Sequence, residues 1–118
     1  MTIRINGLLW TIEEVDTRSQ ELVINGNSCF GVCQYVNQRI LIDNSIKDDK
    51  KYQTLKHELA HAFLYCYTLD KKDTFNEEEL CEFVAMYSDA INDFAKEYME
   101  VMHHWENYEF VCNQRKTS

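Results

Sequence analysis

Proline is absent from all 118 residues, which suits one compact unit with short connections. Nowhere does the chain approach the roughly 18 consecutive apolar residues of a membrane-spanning helix, so no membrane partner is expected. The opening Met1-Thr2-Ile3-Arg4-Ile5 lacks the apolar core that a secretory signal needs. Basic runs are equally scarce: none exceeds Lys50-Lys51 or Lys71-Lys72, and the net charge is −8. Phosphate-binding surfaces usually carry the opposite sign, so nucleic acid is not an expected partner. Cys29, Cys33, Cys66, Cys81 and Cys112 are odd in number and too sparse for a disulfide scaffold. These absences together predict a cytoplasmic location with mostly free thiols. There is no internal repeat, low-complexity segment or linker, so residues 1–118 read as a single domain with a frayed tail at 114–118.

What the chain does contain reads as strands followed by helices. An apolar fraction of 45% and 13% aromatics are those of a globular protein. Ile3, Ile5, Leu9 and Ile12 alternate loosely with Arg4, Asn6, Thr11 and Glu13, which predicts a first strand over 3–14 with Gly7 at a turn or bulge. Residues 16–20 are a polar connector. Glu21-Leu22-Val23-Ile24 reads as a short second strand, closed by the turn signal Asn25-Gly26-Asn27. Residues 29–36 alternate around Phe30, Val32, Gln34 and Val36, and Arg39-Ile40-Leu41-Ile42-Asp43 reads as their hairpin partner. The expectation is a small antiparallel sheet in which 39–43 leads into the next helix. As an exposed edge, that strand would be able to take up a peptide as an added strand.

Asp48 or Asp49 can cap a helix running to about Tyr67, which would bury Leu55, Leu59, Ala62, Phe63 and Cys66. A polar break follows over 69–75. Asn76 reads as the N-cap of a longer helix reaching Met102, with Glu77, Glu78 and Glu79 set favourably against its dipole. Its core stripe is expected to be Leu80, Phe83, Val84, Tyr87, Ile91, Phe94 and Tyr98. Trp105, Tyr108, Phe110 and Val111 are apolar enough to pack back, as a helical turn or as a strand. The expected fold class is α+β.

The first helix carries His57-Glu58-Leu59-Ala60-His61. Residues four apart on a helix project from nearly the same side, so both imidazoles can face one ion at about 2.0–2.1 Å. Glu58, roughly 100° around the axis, would stand beside the ion, where its carboxylate can act as general base towards water. A catalytic zinc usually takes three protein ligands. Glu77, Glu78, Glu79 and Glu82 at the start of the second helix are the carboxylates available for the third position.

A sheet, an HExxH helix and an acidic second helix together resemble the gluzincin metallopeptidases, most closely the small ImmA/IrrE-type peptidases of phages, mobile elements and bacterial stress regulators. The resemblance spans about residues 34–98. The second motif of that family matches Glu78-Glu79-Leu80-Cys81-Glu82-Phe83-Val84 best. It implies a zinc ion held by His57, His61 and Glu78, with Glu58 as the catalytic base and Glu82 orienting a histidine through its other ring nitrogen. Aligning Phe83 with the family's phenylalanine instead makes Glu77 the ligand. Glu82 departs from the pattern, which has the shorter Asp or Asn. The implied activity is hydrolysis of a peptide bond in a cytoplasmic protein, such as a transcriptional regulator. Tyr65, Tyr67, Tyr98, His103 and His104 are open candidates for stabilising the oxyanion.

Plainer readings stand beside these. His57 and His61 can be two polar helix positions, and at least two of Glu77–Glu79 serve only the helix dipole. Cys29 and Cys33 are too far apart on a strand to form a metal knuckle, since four residues span over about 13 Å. Cys66 and Cys81 read as core. His103 and His104, with Glu100 and Glu106 as conceivable co-ligands, read as exposed side chains near a helix C-terminus. The rival to a hydrolase is a binding module in which any metal is structural and a host or phage regulator is engaged without cleavage.

Overall fold

Asn6 and Gly7 both take positive φ, 49° and 81°, the pair of left-handed conformations that a two-residue hairpin turn requires. In the computed structural model, which describes residues 1–67 and 74–105, the single strand expected over 3–14 is therefore two. Strands β1 (Thr2–Ile5) and β2 (Leu8–Val15) pair antiparallel, with Ile3 opposite Trp10. The same turn chemistry recurs at Asn25 and Gly26, with φ of 52° and 79°. It joins the short strands β3 (Val23–Ile24) and β4 (Asn27–Ser28). Strands β5 (Gly31–Gln34) and β6 (Arg39–Asp43) form the expected antiparallel pair.

The four-stranded sheet has the order β1-β2-β6-β5, and β2 pairs with β6 in parallel, Ile12 beside Ile40. The sheet is mixed, not antiparallel, and β6 lies in its interior, not at an edge. Burial explains why. Ile40, Leu41, Ile42 and Asp43 are all buried, an unbroken apolar run suited to a strand covered on both faces. Ile40 and Ile42 face the main core with Trp10 and Ile12, while Leu41 joins Leu22 and Val32 in a smaller cluster. The outer strand on this side is β5.

Asp43 closes β6 and sets the chain towards the helix. Its carboxylate accepts from the Ser45 backbone N–H and hydroxyl at 2.8 and 2.7 Å and from the Thr17 hydroxyl at 2.8 Å. Burial would raise its pKa, but these bonds and the nearby Lys51 hold it below the ordinary value.

Helix α1 (Asp48–Cys66) begins from Lys47, so Asp48 and Asp49 occupy its first turn instead of the cap. Its expected stripe, Leu55 through Cys66, is buried, and Thr54 and Glu58 are buried with it. Helix α2 (Glu77–His103) starts at Asn76 in a full capping box. The Glu79 N–H donates to Asn76 Oδ1 at 2.8 Å, and Glu79 Oε1 accepts from the Asn76 N–H at 3.4 Å.

The two helices pack through Phe63 against Tyr87 and Phe94, with Tyr67 stacked on Tyr87. At the opposite end Trp105 lies against Tyr52, and its indole N–H donates to Asp48 at 3.3 Å. With 27 residues against 19, α2 is longer by about 12 Å at 1.5 Å per residue. Its first turns thus overhang the end of α1. This corrects the expected core stripe: Ile91 and Tyr98 are buried, but Leu80 and Val84 are 51% and 57% exposed. Cys81, expected in the core, is exposed for the same reason.

His103 also departs from expectation, since it is mostly enclosed. Its Nε2 meets Glu14 Oε2 at 2.5 Å, while Tyr98 donates to the same oxygen at 2.6 Å and Lys51 Nζ lies 2.9 Å from Oε1. One carboxylate on β2 thereby ties down both helices. His104 is exposed and ends α2 in the left-handed conformation. The expectations for residues 69–73, for Tyr108, Phe110, Val111 and Cys112, and for the tail lie outside the described residues. No helix among the described residues is long and apolar enough to cross a membrane.

Candidate functional site

Helical spacing places His57 and His61 one turn apart on α1, with ring centroids 4.9 Å apart and planes at 74°. His57 is exposed and His61 is half-buried. Burial, reinforced by His57, lowers the pKa of His61 and so favours its neutral imidazole, the form with a lone pair to donate. Glu58 turns inward and is only 7% exposed. Burial raises its pKa above the ordinary carboxylate value against the opposing pull of His57, which makes it a better proton acceptor than an exposed glutamate.

A cleft of about 410 Å³ opens between the start of β5 and α1, lined by Cys29, Phe30, Gly31, Lys50, Gln53, Thr54, His57 and Glu58. The base, one imidazole and the sheet's outer strand therefore share one wall. Behind them lies Cys33, whose thiol burial pushes up to about 12, with Glu58 and Cys66 adding to the effect. It is a packed thiol and not a nucleophile.

The carboxylates at the start of α2 are arranged differently. Glu77 and Glu78 are exposed in the first turn, Glu79 closes the capping box, and Glu82 lines a separate hollow with Tyr67, Phe75, Phe83, Met86 and Tyr87. Among the described residues no group of three or more His, Cys, Asp and Glu side chains is placed to hold a metal ion. The oxyanion candidates lie outside the cleft lining. Tyr98 and His103 are engaged by Glu14, Tyr65 packs against Tyr35 and Trp10, and Tyr67 stacks on Phe63 and Tyr87.

Comparison with protein-family models, with curated proteins and with solved structures gave no significant match. The site accordingly rests on its own chemistry.

Gly31 is the site residue that sequence reasoning missed, because a residue without a side chain adds nothing to an apolar pattern. A Cβ there would stand 2.7 Å from Thr54 Cγ2 and 3.0 Å from Glu58 Cγ. Only glycine lets β5 lie this close to the base. Gly31→Ala is expected to cost about 1–3 kcal/mol through overpacking, read as a lower urea midpoint. Displacement of α1 from β5 should show as amide shift changes at Thr54 and Glu58. An unchanged midpoint would mean that the contact relaxes freely.

Proposed function

We propose that this chain is a zinc-dependent hydrolase of peptide bonds, resembling the ImmA/IrrE type and acting on a protein in the cytoplasm. The observation that carries this reading is the buried Glu58 carboxylate on the wall of an open cleft, with His57 on the same wall and the His61 ring 4.9 Å from His57. The donor chemistry fits zinc at His57 and His61, whose rings are adjacent, and burial favours the neutral form of His61. Glu78 is the third ligand that the resemblance implies. Bound zinc would supply Lewis acidity, acidifying water and polarising a carbonyl.

The residues of this chain do the rest. Glu58 takes a proton from the attacking water at a carboxylate oxygen as the new C–O bond forms. It returns that proton to the amine nitrogen as the C–N bond breaks. The open edge of β5 holds an extended segment by adding it to the sheet, the role expected at 39–43 now moved to the outer strand. Gly31 keeps that segment close to the base.

Elemental analysis tests the reading directly. About one zinc per chain is expected, lost in His57→Ala and His61→Ala and much weakened in Glu78→Ala, with helical content unchanged by circular dichroism. Full zinc retention in the double histidine variant would overturn it. One observation favours a second reading, a binding module with at most a structural metal: no third donor gathers at the imidazole pair among the described residues.

A further inference from the structure

We propose that the cleft beside Glu58 selects a substrate segment bearing an acidic side chain, and that Lys50 on its Phe30 platform is the group that selects it. The proposal rests on the hydrolase reading for the position of the reacting bond, but the preference belongs to the cleft itself. Lys50 Nζ stands 5.1 Å from the centroid of the Phe30 ring and 3.4 Å from Gln53 Oε1. Both neighbours also line the cleft. Phe30 is 53% exposed, a large apolar ring left open at the entrance.

Three other cations of this part of the fold have partners of their own. Arg39 is held by Glu13 and Glu21 at 2.8 and 2.7 Å, Lys51 by Glu14 at 2.9 Å, and Lys56 lies over the Tyr52 ring at 4.4 Å. Among the described residues Lys50 is the one lysine or arginine that lines the cleft, and no carboxylate among them pairs with its ammonium. The nearby Asp49 carboxylate accepts from the Lys50 backbone N–H at 2.8 Å and not from its ammonium.

In a chain of net charge −8, leaving this ammonium unpaired where a ligand would enter is a local reversal of sign. The face of the ring beneath it attracts the ammonium. Gln53 takes one donor, and Lys50 keeps further N–H groups for a ligand in the cleft that it lines. An aspartate or glutamate side chain entering there completes a charge-assisted bond. Among the described residues the one carboxylate in the cleft wall is Glu58, buried towards Gly31, while Asp49 borders a separate hollow on the other side of Lys50.

The test is cleavage-site profiling with the full zinc-loaded chain on a proteome-derived peptide library, read by mass spectrometry. Asp and Glu should be enriched at one fixed position from the cut. The acidic-to-neutral ratio of kcat/KM should fall about tenfold in Lys50→Ala, the scale of one charge-assisted hydrogen bond. Lys50→Glu should replace the acidic preference with Lys and Arg. Enrichment absent from the wild type, or unchanged in Lys50→Ala, would overturn the proposal. If nothing is cut, the hydrolase reading has failed separately. Selection is then read by fluorescence anisotropy with labelled peptide pools that differ only in Glu or Gln. Tighter binding of the Glu pool, lost in Lys50→Ala, supports the proposal, and equal binding refutes it.

Discussion

Glu58→Gln is expected to lower peptide hydrolysis by about 10²–10⁴-fold, the span that a positioned general base contributes, while leaving zinc content and fold intact. The amide has nearly the shape of the carboxylate, so the packing against Gly31 and Thr54 survives. What is lost is the basicity of the carboxylate, since an amide oxygen accepts a hydrogen bond but not the water proton at neutral pH. Turnover on the peptide library, elemental zinc and circular dichroism, measured on the same preparation, separate these effects. This variant also divides the two functional readings. The proposed hydrolase loses most of its activity without the Glu58 carboxylate, whereas a binding module has no use for its basicity. If Glu58→Gln keeps the biological effect of the chain, the module reading stands.

The largest expected effect on stability is at Glu14. Glu14→Ala should cost about 3 kcal/mol, since breaking an enclosed ion pair leaves its partner uncompensated. Lys51 is 9% exposed and Glu14 18%, so solvent replaces little of what is lost. Tyr98 and His103 lose their shared acceptor in the same step. Urea denaturation at neutral pH reads the difference, with Glu14→Gln as a companion that keeps the volume and removes the charge.

The pH dependence has a definite sign. Burial raises the Glu14 pKa, but hydrogen bonds from Tyr98, Lys51 and His103 outweigh it, so the folded value lies below the ordinary 4.5. The carboxylate therefore contributes stability in full above that value, and the contribution is lost as pH falls through the folded one. The gap between wild type and Glu14→Ala should narrow on acidification. A gap constant with pH would remove the electrostatic account.

Local signals were readable and distant ones were not. The α1 stripe, the Asn76 cap and the Asn25-Gly26 turn each depend on residues a few positions apart, and all three stand where periodicity and turn chemistry put them. The parallel pairing of β2 with β6 joins residues 28 apart, Ile12 with Ile40. No local pattern encodes it, so β6 read as an edge. The alternation over 29–36 picks out Phe30, Val32, Gln34 and Val36, but β5 turns Gly31 and Cys33 towards α1, and Val36, beyond its end, is 92% exposed. His103 read as exposed because its partner, Glu14, is 89 residues away. The pairing of His57 with His61 was legible from spacing alone, whereas the cleft that gives Glu58 its surroundings arises only when β5 docks on α1.

Strand β6 carries one more consequence. Most strands offer every second residue to water, and mutation can wander there at little cost. Ile40, Leu41 and Ile42 have no such holiday side, each being 0% exposed. A polar replacement has no outward direction in which to turn, whichever face it points to. Substitutions should therefore be tolerated less on β6 than on the outer strands, including the one that borders the cleft.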